Sequence, residues 1–107
     1  VKKIFVCSKL RSSQEYQVER NKKITKDYCR KLTIEGFLPL APHIYFTQFL
    51  DDQIESERMM GVFAGTKWLW VCDEVHVLNP GSGISDGMEE EIKLAKRLRK
   101  IIKEIEI

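Results

Sequence analysis

The sequence predicts an α/β fold, a three-layer sandwich around a four-stranded, mostly parallel sheet of order 2-1-3-4. Short β-branched and aromatic runs alternate with longer stretches of helical apolar spacing, in the order β-α-β-α-β-α-β. Turn signals at Ser8, Pro42 and Asn79-Pro80-Gly81 break the apolar runs. A chain of 107 residues has room for one core, so helices joining the strands must cross over, right-handed, into a single doubly wound sheet. Residues 1–107 are accordingly expected to form one domain.

Lys3-Ile4-Phe5-Val6-Cys7 reads as a buried first strand that stops at Ser8. After a polar loop to about Gln17, Val18, Ile24, Tyr28 and Leu32 recur at helical spacing, and Gly36 follows as a C-terminal stop. Phe37-Leu38-Pro39-Leu40 is a second strand, and its proline belongs at a sheet edge. Residues 41–52 carry His43, Tyr45, Phe46 and Phe49 without a clean period and are expected to form a long loop holding at most one helical turn. A second helix follows from about Ile54 to Trp70, and Glu74-Val75-His76-Val77-Leu78 is the third strand. Ser85 is placed to cap a helix from about Met88 to Arg99, and the alternation from Ile101 to Ile107 reads as a last strand.

Composition excludes several classes. Eighteen basic and sixteen acidic residues leave a net charge of +2, too little for a dedicated nucleic-acid binder. The basic runs Arg20–Lys31 and Lys93–Lys103 interleave with apolar positions and read as solvated helix faces. No apolar run reaches the ~18 residues that span a membrane. Cys7, Cys29 and Cys72 have no metal or redox spacing and are expected to be buried small hydrophobes; with no apolar signal segment before the first strand, a reducing cytoplasm is expected. His43 and His76 share no ligand spacing with each other or with a cysteine, so neither a metal nor another cofactor is expected.

In a doubly wound sheet, ligands bind beyond the carboxyl ends of the strands where strand order reverses, here between the first and third strands. That places the candidate site in the loops Ser8–Gln17 and Asn79–Gly87. A domain this small buries only about two-thirds of its unfolded surface, so a surface cleft or an oligomer interface is expected rather than an internal cavity. The run Gly81-Ser82-Gly83-Ile84-Ser85-Asp86-Gly87 leads into Met88-Glu89-Glu90-Glu91. A helix start offers free N–H groups to a phosphate or carboxylate, and it equally favours acidic residues in its first turn. A carboxylate there suits attack on a sugar anomeric carbon or service as a base, and a second group protonating the leaving group would complete the pair. Asp73 and Asp86 are the possible partners, or else a turn and a cap residue. His76, inside a strand, reads as structural, and His43 as a ligand contact. Tyr45, Phe46 and Phe49 either stack on a base or cap the sheet edge.

Five pieces, Tyr28-Cys29-Arg30, Gly36-Phe37-Leu38-Pro39-Leu40-Ala41-Pro42-His43, Gln48-Phe49-Leu50-Asp51-Asp52, Cys72-Asp73-Glu74-Val75 and Ile84-Ser85-x-x-Met88-x-x-Glu91-Ile92, span nearly the whole chain. Together they resemble small phage and bacterial domains of unknown function related to the nucleoside 2-deoxyribosyltransferases. The resemblance implies a flavodoxin-like, Rossmann-like fold and a glutamate nucleophile on the helix after the third strand. The Gly-Met-x-x-Glu spacing matches it to Glu91, with Glu89 as the alternative. The implied reaction is deoxyribosyl transfer between bases, or hydrolysis of the N-glycosidic bond. Ser8, His43, Asp73, Ser85, Asp86 and Gly87 are the implied contacts to a small-molecule nucleoside or nucleotide. A homo-oligomer is expected, because related transferases complete their sites across subunits. The alternative function is a non-catalytic module that binds a nucleotide or nucleotide-sugar.

Overall fold

The computed structural model describes residues 1–79, 81 and 83–107. The first strand, β1 (Lys3–Cys7), explains the layering. Successive strand residues point to opposite faces. Ile4 and Val6 therefore meet Tyr28, Leu32 and Leu78 on one side, while Phe5 and Cys7 meet Leu69, Val75, Met88 and Ala95 on the other. Helix α1 (Glu15–Ile34) covers the first face, and α3 (Glu55–Val71) and α4 (Asp86–Arg97) cover the second. Burying a side chain such as Phe5 contributes about 1.5–3 kcal/mol, so the two faces of β1 anchor all three layers.

The four strands run parallel in the order β2-β1-β3-β4, as the alternation of elements predicts. The edge strand β2 (Leu38–Leu40) pairs Ile4 with Pro39; proline lacks an N–H and is tolerated at an edge. β3 (Glu74–Asn79) is central and almost wholly buried. β4 (Ile101–Glu106) is the opposite edge, half-buried at Ile102 and Ile105 and exposed between them. Gly36 ends α1 at φ 93°, in the left-handed region, where the N–H groups of Gly36 and Phe37 bond the carbonyls of Thr33 and Leu32.

Local boundaries differ from expectation where a hydrogen bond decides them. α4 starts at Asp86 rather than near Met88, because Ser85 Oγ accepts from Met88 N at 3.3 Å and so fixes Asp86 as the first helical residue. It ends at Arg97, where Arg99 takes φ 57° and Lys100 N bonds Ala95 O. The aromatic segment holds the one expected helical turn, α2 (Pro42–Tyr45), begun by Pro42, and adds a 3-10 turn over Phe46–Gln48. There Tyr45, Phe46, Phe49 and Trp68 pack as a ring cluster, with centroids 5.1–5.8 Å apart. Cys7 and Cys72 are buried, whereas Cys29 is only half-buried, lying on the flank of α1. Asn79 belongs to β3, and two turn residues of the sequence reading, Pro80 and Ser82, lie outside the described residues. No helix among the described residues is long and apolar enough to cross a membrane.

Candidate functional site

Beyond the carboxyl ends of β1 and β3 the structure opens a cleft of about 650 Å³. Its walls are the loop after β1, the α2 segment, the inner side of α3 and the first three turns of α4. The sequence reading places the site at this end of the sheet and foresees the first and last of these walls.

α4 contributes the chemistry. Met88 and Ala95 are its buried residues, and a helix brings i+3 and i+4 to the same face. Glu91 stands three residues after Met88 and four before Ala95, so it turns inward and lines the cleft. Glu89, one residue from Met88, is rotated away and exposed. Glu90 is exposed and pairs with Lys93 at 3.5 Å. Protein surrounds the Glu91 carboxyl although the residue keeps some solvent access at the cleft wall. Burial raises its pKa to about 7, against the smaller opposing effect of a hydrogen bond from the Cys7 thiol. Cys7 lies beneath it, with Sγ 3.8 Å from Met88 O; burial, then the charge of Glu91, pushes the thiol up, so it stays protonated and inert.

The β1 and α2 walls are tied together by Ser8 and His43. Ser8 Oγ lies 2.7 Å from Thr25 Oγ1 and 2.5 Å from His43 Nε2. Burial lowers His43 to about 4, so its imidazole is neutral at pH 7. The loop after β1 is held from below by Asn21, whose amide donates to Leu10 O at 3.1 Å, and at its rim by an Arg11–Asp52 ion pair at 3.4 Å.

The residues singled out from sequence separate into two groups. Ser8, His43, Ser85, Asp86, Gly87 and Glu91 all line the one cleft. Asp73 does not. It immediately precedes β3, so it sits at the amino-terminal end of the sheet, where its carboxylate accepts from Lys3 N at 2.7 Å. That bond holds its pKa below the usual range. One strand length, roughly 16 Å, separates it from the cleft, and its role is to join the starts of β1 and β3. His76 is also remote from the cleft: it is buried on the α1 face, with Nδ1 2.6 Å from Tyr28 Oη and Nε2 donating to Glu74 Oε1 at 2.7 Å.

Sequence reasoning missed the α3 wall, made by Met59, Val62 and Thr66, and the cleft charges Arg11, Asp52, Glu57, Arg58, Lys93 and Arg97. The available signal was the pair Gly61 and Gly65. A Cβ at Gly65 would meet Pro42 at 3.0 Å, and one at Gly61 would meet Phe46 and Leu50 at 3.5 Å. Gly65 lets α2 settle closely onto α3 and bring His43 to the cleft. Among the described residues no group of three or more His, Cys, Asp or Glu is placed to hold a metal.

A domain family described as "Domain of unknown function (DUF7768)" matches residues 2–105. No curated protein matches the chain. Among solved structures, the 2-deoxyribosyltransferase of Bacillus psychrosaccharolyticus is similar with a TM-score of 0.71 at 12% identity, over 97% of this chain and 72% of that one. The CMP N-glycosidase of Clostridium botulinum gives 0.63 at 18%, over 98% and 71%. The 2-deoxyribosyltransferase of Leishmania mexicana gives 0.64 at 12%, over 99% of this chain and 65% of its own. At these identities the likeness is one of fold, and the fold is the deoxyribosyltransferase-like one that the sequence motifs imply.

Proposed function

Starting from a chain that belongs to a domain family of unknown function, DUF7768, we propose that it cleaves or exchanges the N-glycosidic bond of a deoxynucleoside or nucleotide, with Glu91 as nucleophile. The observation that carries this reading is Glu91 itself, a desolvated carboxyl on the wall of a cleft at the switch point of the sheet. The shared fold of two deoxyribosyltransferases and a CMP N-glycosidase supports the reaction class.

In the first step a Glu91 carboxylate oxygen bonds to C1′ of the sugar while the C1′–N bond breaks. The bonding pair leaves with the base, which takes up a proton. In the second step water or another base attacks C1′, loses its proton and releases the carboxylate. Asp86 lines the cleft at the start of α4, where it contacts the sugar or the base with Ser85 and Gly87. His43 forms part of the α2 wall, and Ser8 supports it.

The reading includes a homo-oligomer. Met59, Val62, Phe63 and Trp70 of α3 are half exposed or more, and the first two also line the cleft, so a second copy on α3 would narrow its mouth. Light scattering is expected to give a mass above that of one chain, and a concentration-independent monomer would contradict this part.

The test is incubation with a panel of deoxynucleosides and their 5′-monophosphates, with and without a second base, beside Glu91→Gln. Base release or exchange in the wild type, abolished in the variant, is the expected result. Binding of a nucleotide with no release of base would make the domain a binding module instead.

A further inference from the structure

Beneath the cleft, three side chains and one carbonyl form a continuous chain of hydrogen bonds. Thr25 Oγ1 donates to Asn21 O at 3.0 Å, Thr25 Oγ1 and Ser8 Oγ are 2.7 Å apart, and Ser8 Oγ and His43 Nε2 are 2.5 Å apart. With Thr25 donating to Asn21 O, the proton count orients the other two bonds. A carbonyl only accepts, so the single Thr25 proton points to Asn21. Thr25 can then only accept from Ser8, whose own single proton is committed to it. Ser8 must therefore accept from His43, and Nε2 carries the ring proton. A neutral imidazole has one N–H, which leaves Nδ1 as an acceptor. Burial keeps this ring neutral, with its pKa lowered to about 4.

The backbone that carries the ring is held on both sides: Pro42 packs against Gly65, where a Cβ would meet it at 3.0 Å, and Thr47 Oγ1 donates to the His43 carbonyl at 2.6 Å. A neutral acceptor cannot protonate a leaving base, but it can choose a partner. From this geometry we infer that His43 is a specificity-determining residue of the cleft. It accepts through Nδ1 a hydrogen bond from an O–H or N–H donor of the nucleoside, and Ser8 and Thr25 are positioning residues that hold its tautomer. The inference rests on the N-glycosidic reading of the cleft. The donor is either a sugar hydroxyl or an amino group of the base, and the two are separable by substrate.

The first measurement is a long-range 15N–1H correlation spectrum of the imidazoles at pH 7. The chain has two histidines, so His43→Asn assigns the signals. The wild type is expected to show the Nε2–H tautomer at His43, and Thr25→Val a mixture of tautomers. An Nδ1–H or cationic ring in the wild type overturns the inference.

The second measurement compares kcat/KM for His43→Gln and His43→Asn. Glutamine keeps an N–H near the Nε2 position and lacks an acceptor at Nδ1; asparagine carries its Oδ1 there. With a full substrate, His43→Gln is expected to lose about 3- to 10-fold, the effect of one neutral hydrogen bond, and His43→Asn to recover most of it. The loss should vanish with a 2′,3′-dideoxynucleoside if the donor is the sugar 3′-hydroxyl. It should vanish with purine 2′-deoxyriboside, compared with deoxyadenosine, if the donor is the base amino group. An equal loss on every substrate, or none on any, overturns the assignment. A wild type that neither binds nor turns over any nucleoside contradicts the N-glycosidic reading and the substrate contact with it, while the tautomer spectrum still decides the hydrogen-bond chain on its own.

Discussion

Replacing Glu91 with glutamine should make the protein more stable, and only above a definite pH. Burial raises the carboxyl from its ordinary value of 4.5 to about 7 in the folded state. The folded protein therefore binds a proton that the unfolded chain has released, and stability falls with pH throughout that window. The stability associated with the protonated form is fully present below pH 4.5 and is lost by about pH 7. Each pKa unit corresponds to about 1.4 kcal/mol, and allowing for the partial solvent access of the residue the loss is about 2–3 kcal/mol. Glutamine keeps the shape and carries no charge. The wild type and Glu91→Gln should thus have equal urea midpoints near pH 4.5 and diverge steadily to pH 7. Above that the variant should stay about 2–3 kcal/mol more stable, on the order of 10 °C in Tm for a domain of this size. Equal stability of the two proteins at pH 8, or a difference that does not change between pH 4.5 and 8, would refute the claim that this carboxyl is held desolvated.

Three further outcomes follow from the same structure. Gly65→Ala sets a Cβ 3.0 Å from Pro42; overpacking of about 1–3 kcal/mol outweighs the better helix propensity of alanine, about 1 kcal/mol. The variant should therefore melt lower and bind nucleoside more weakly, as read by calorimetry. Glu74→Gln removes a buried carboxylate that burial disfavours but that hydrogen bonds from His76, Lys2 and Lys103 hold at about 2. Both lysines are about half exposed and screened, so the loss at pH 7 is about 1–2 kcal/mol. It should shrink as pH falls from 4.5 toward 2, because the stability of a depressed carboxyl is present above its unfolded pKa and disappears below it. Ser85→Ala removes the cap of α4 and should cost about 1 kcal/mol, with faster amide exchange at Met88 and not at Ala95.

How much of this was legible in the sequence depends on the range of the interaction that decides each feature. The parallel sheet follows from strands alternating with helices and the buried β1 from its continuous apolar run, both readable along the chain, and the cap at Ser85 was readable because its partner lies three residues away. The helical turn within 41–52 was allowed for but not its bounds, because a single turn has no period to detect; only Pro42 at its first position marks them. Asp73 was misplaced because nearness to β3 in the chain says nothing about which end of the sheet a residue occupies. It precedes a parallel strand and so faces away from the ligand end. The α3 wall escaped because helical spacing gives a helix but not its partner, and the close contact between α2 and α3 depends on the steric space at Gly65. For Glu91 against Glu89 the motif left two positions open, and the inward stripe Met88, Glu91, Ala95 brings only one of them to the cleft.

The most direct test of the proposed chemistry is intact-protein mass measurement after incubation with a 2′-fluoro-2′-deoxynucleoside. The electron-withdrawing fluorine slows breakdown of a glycosyl-enzyme intermediate. The account predicts that the wild type gains the mass of one fluorodeoxyribosyl group, that peptide mapping places it on Glu91, and that Glu91→Gln gains nothing. An adduct on Glu89 or on another residue, or base release undiminished in Glu91→Gln, would contradict it.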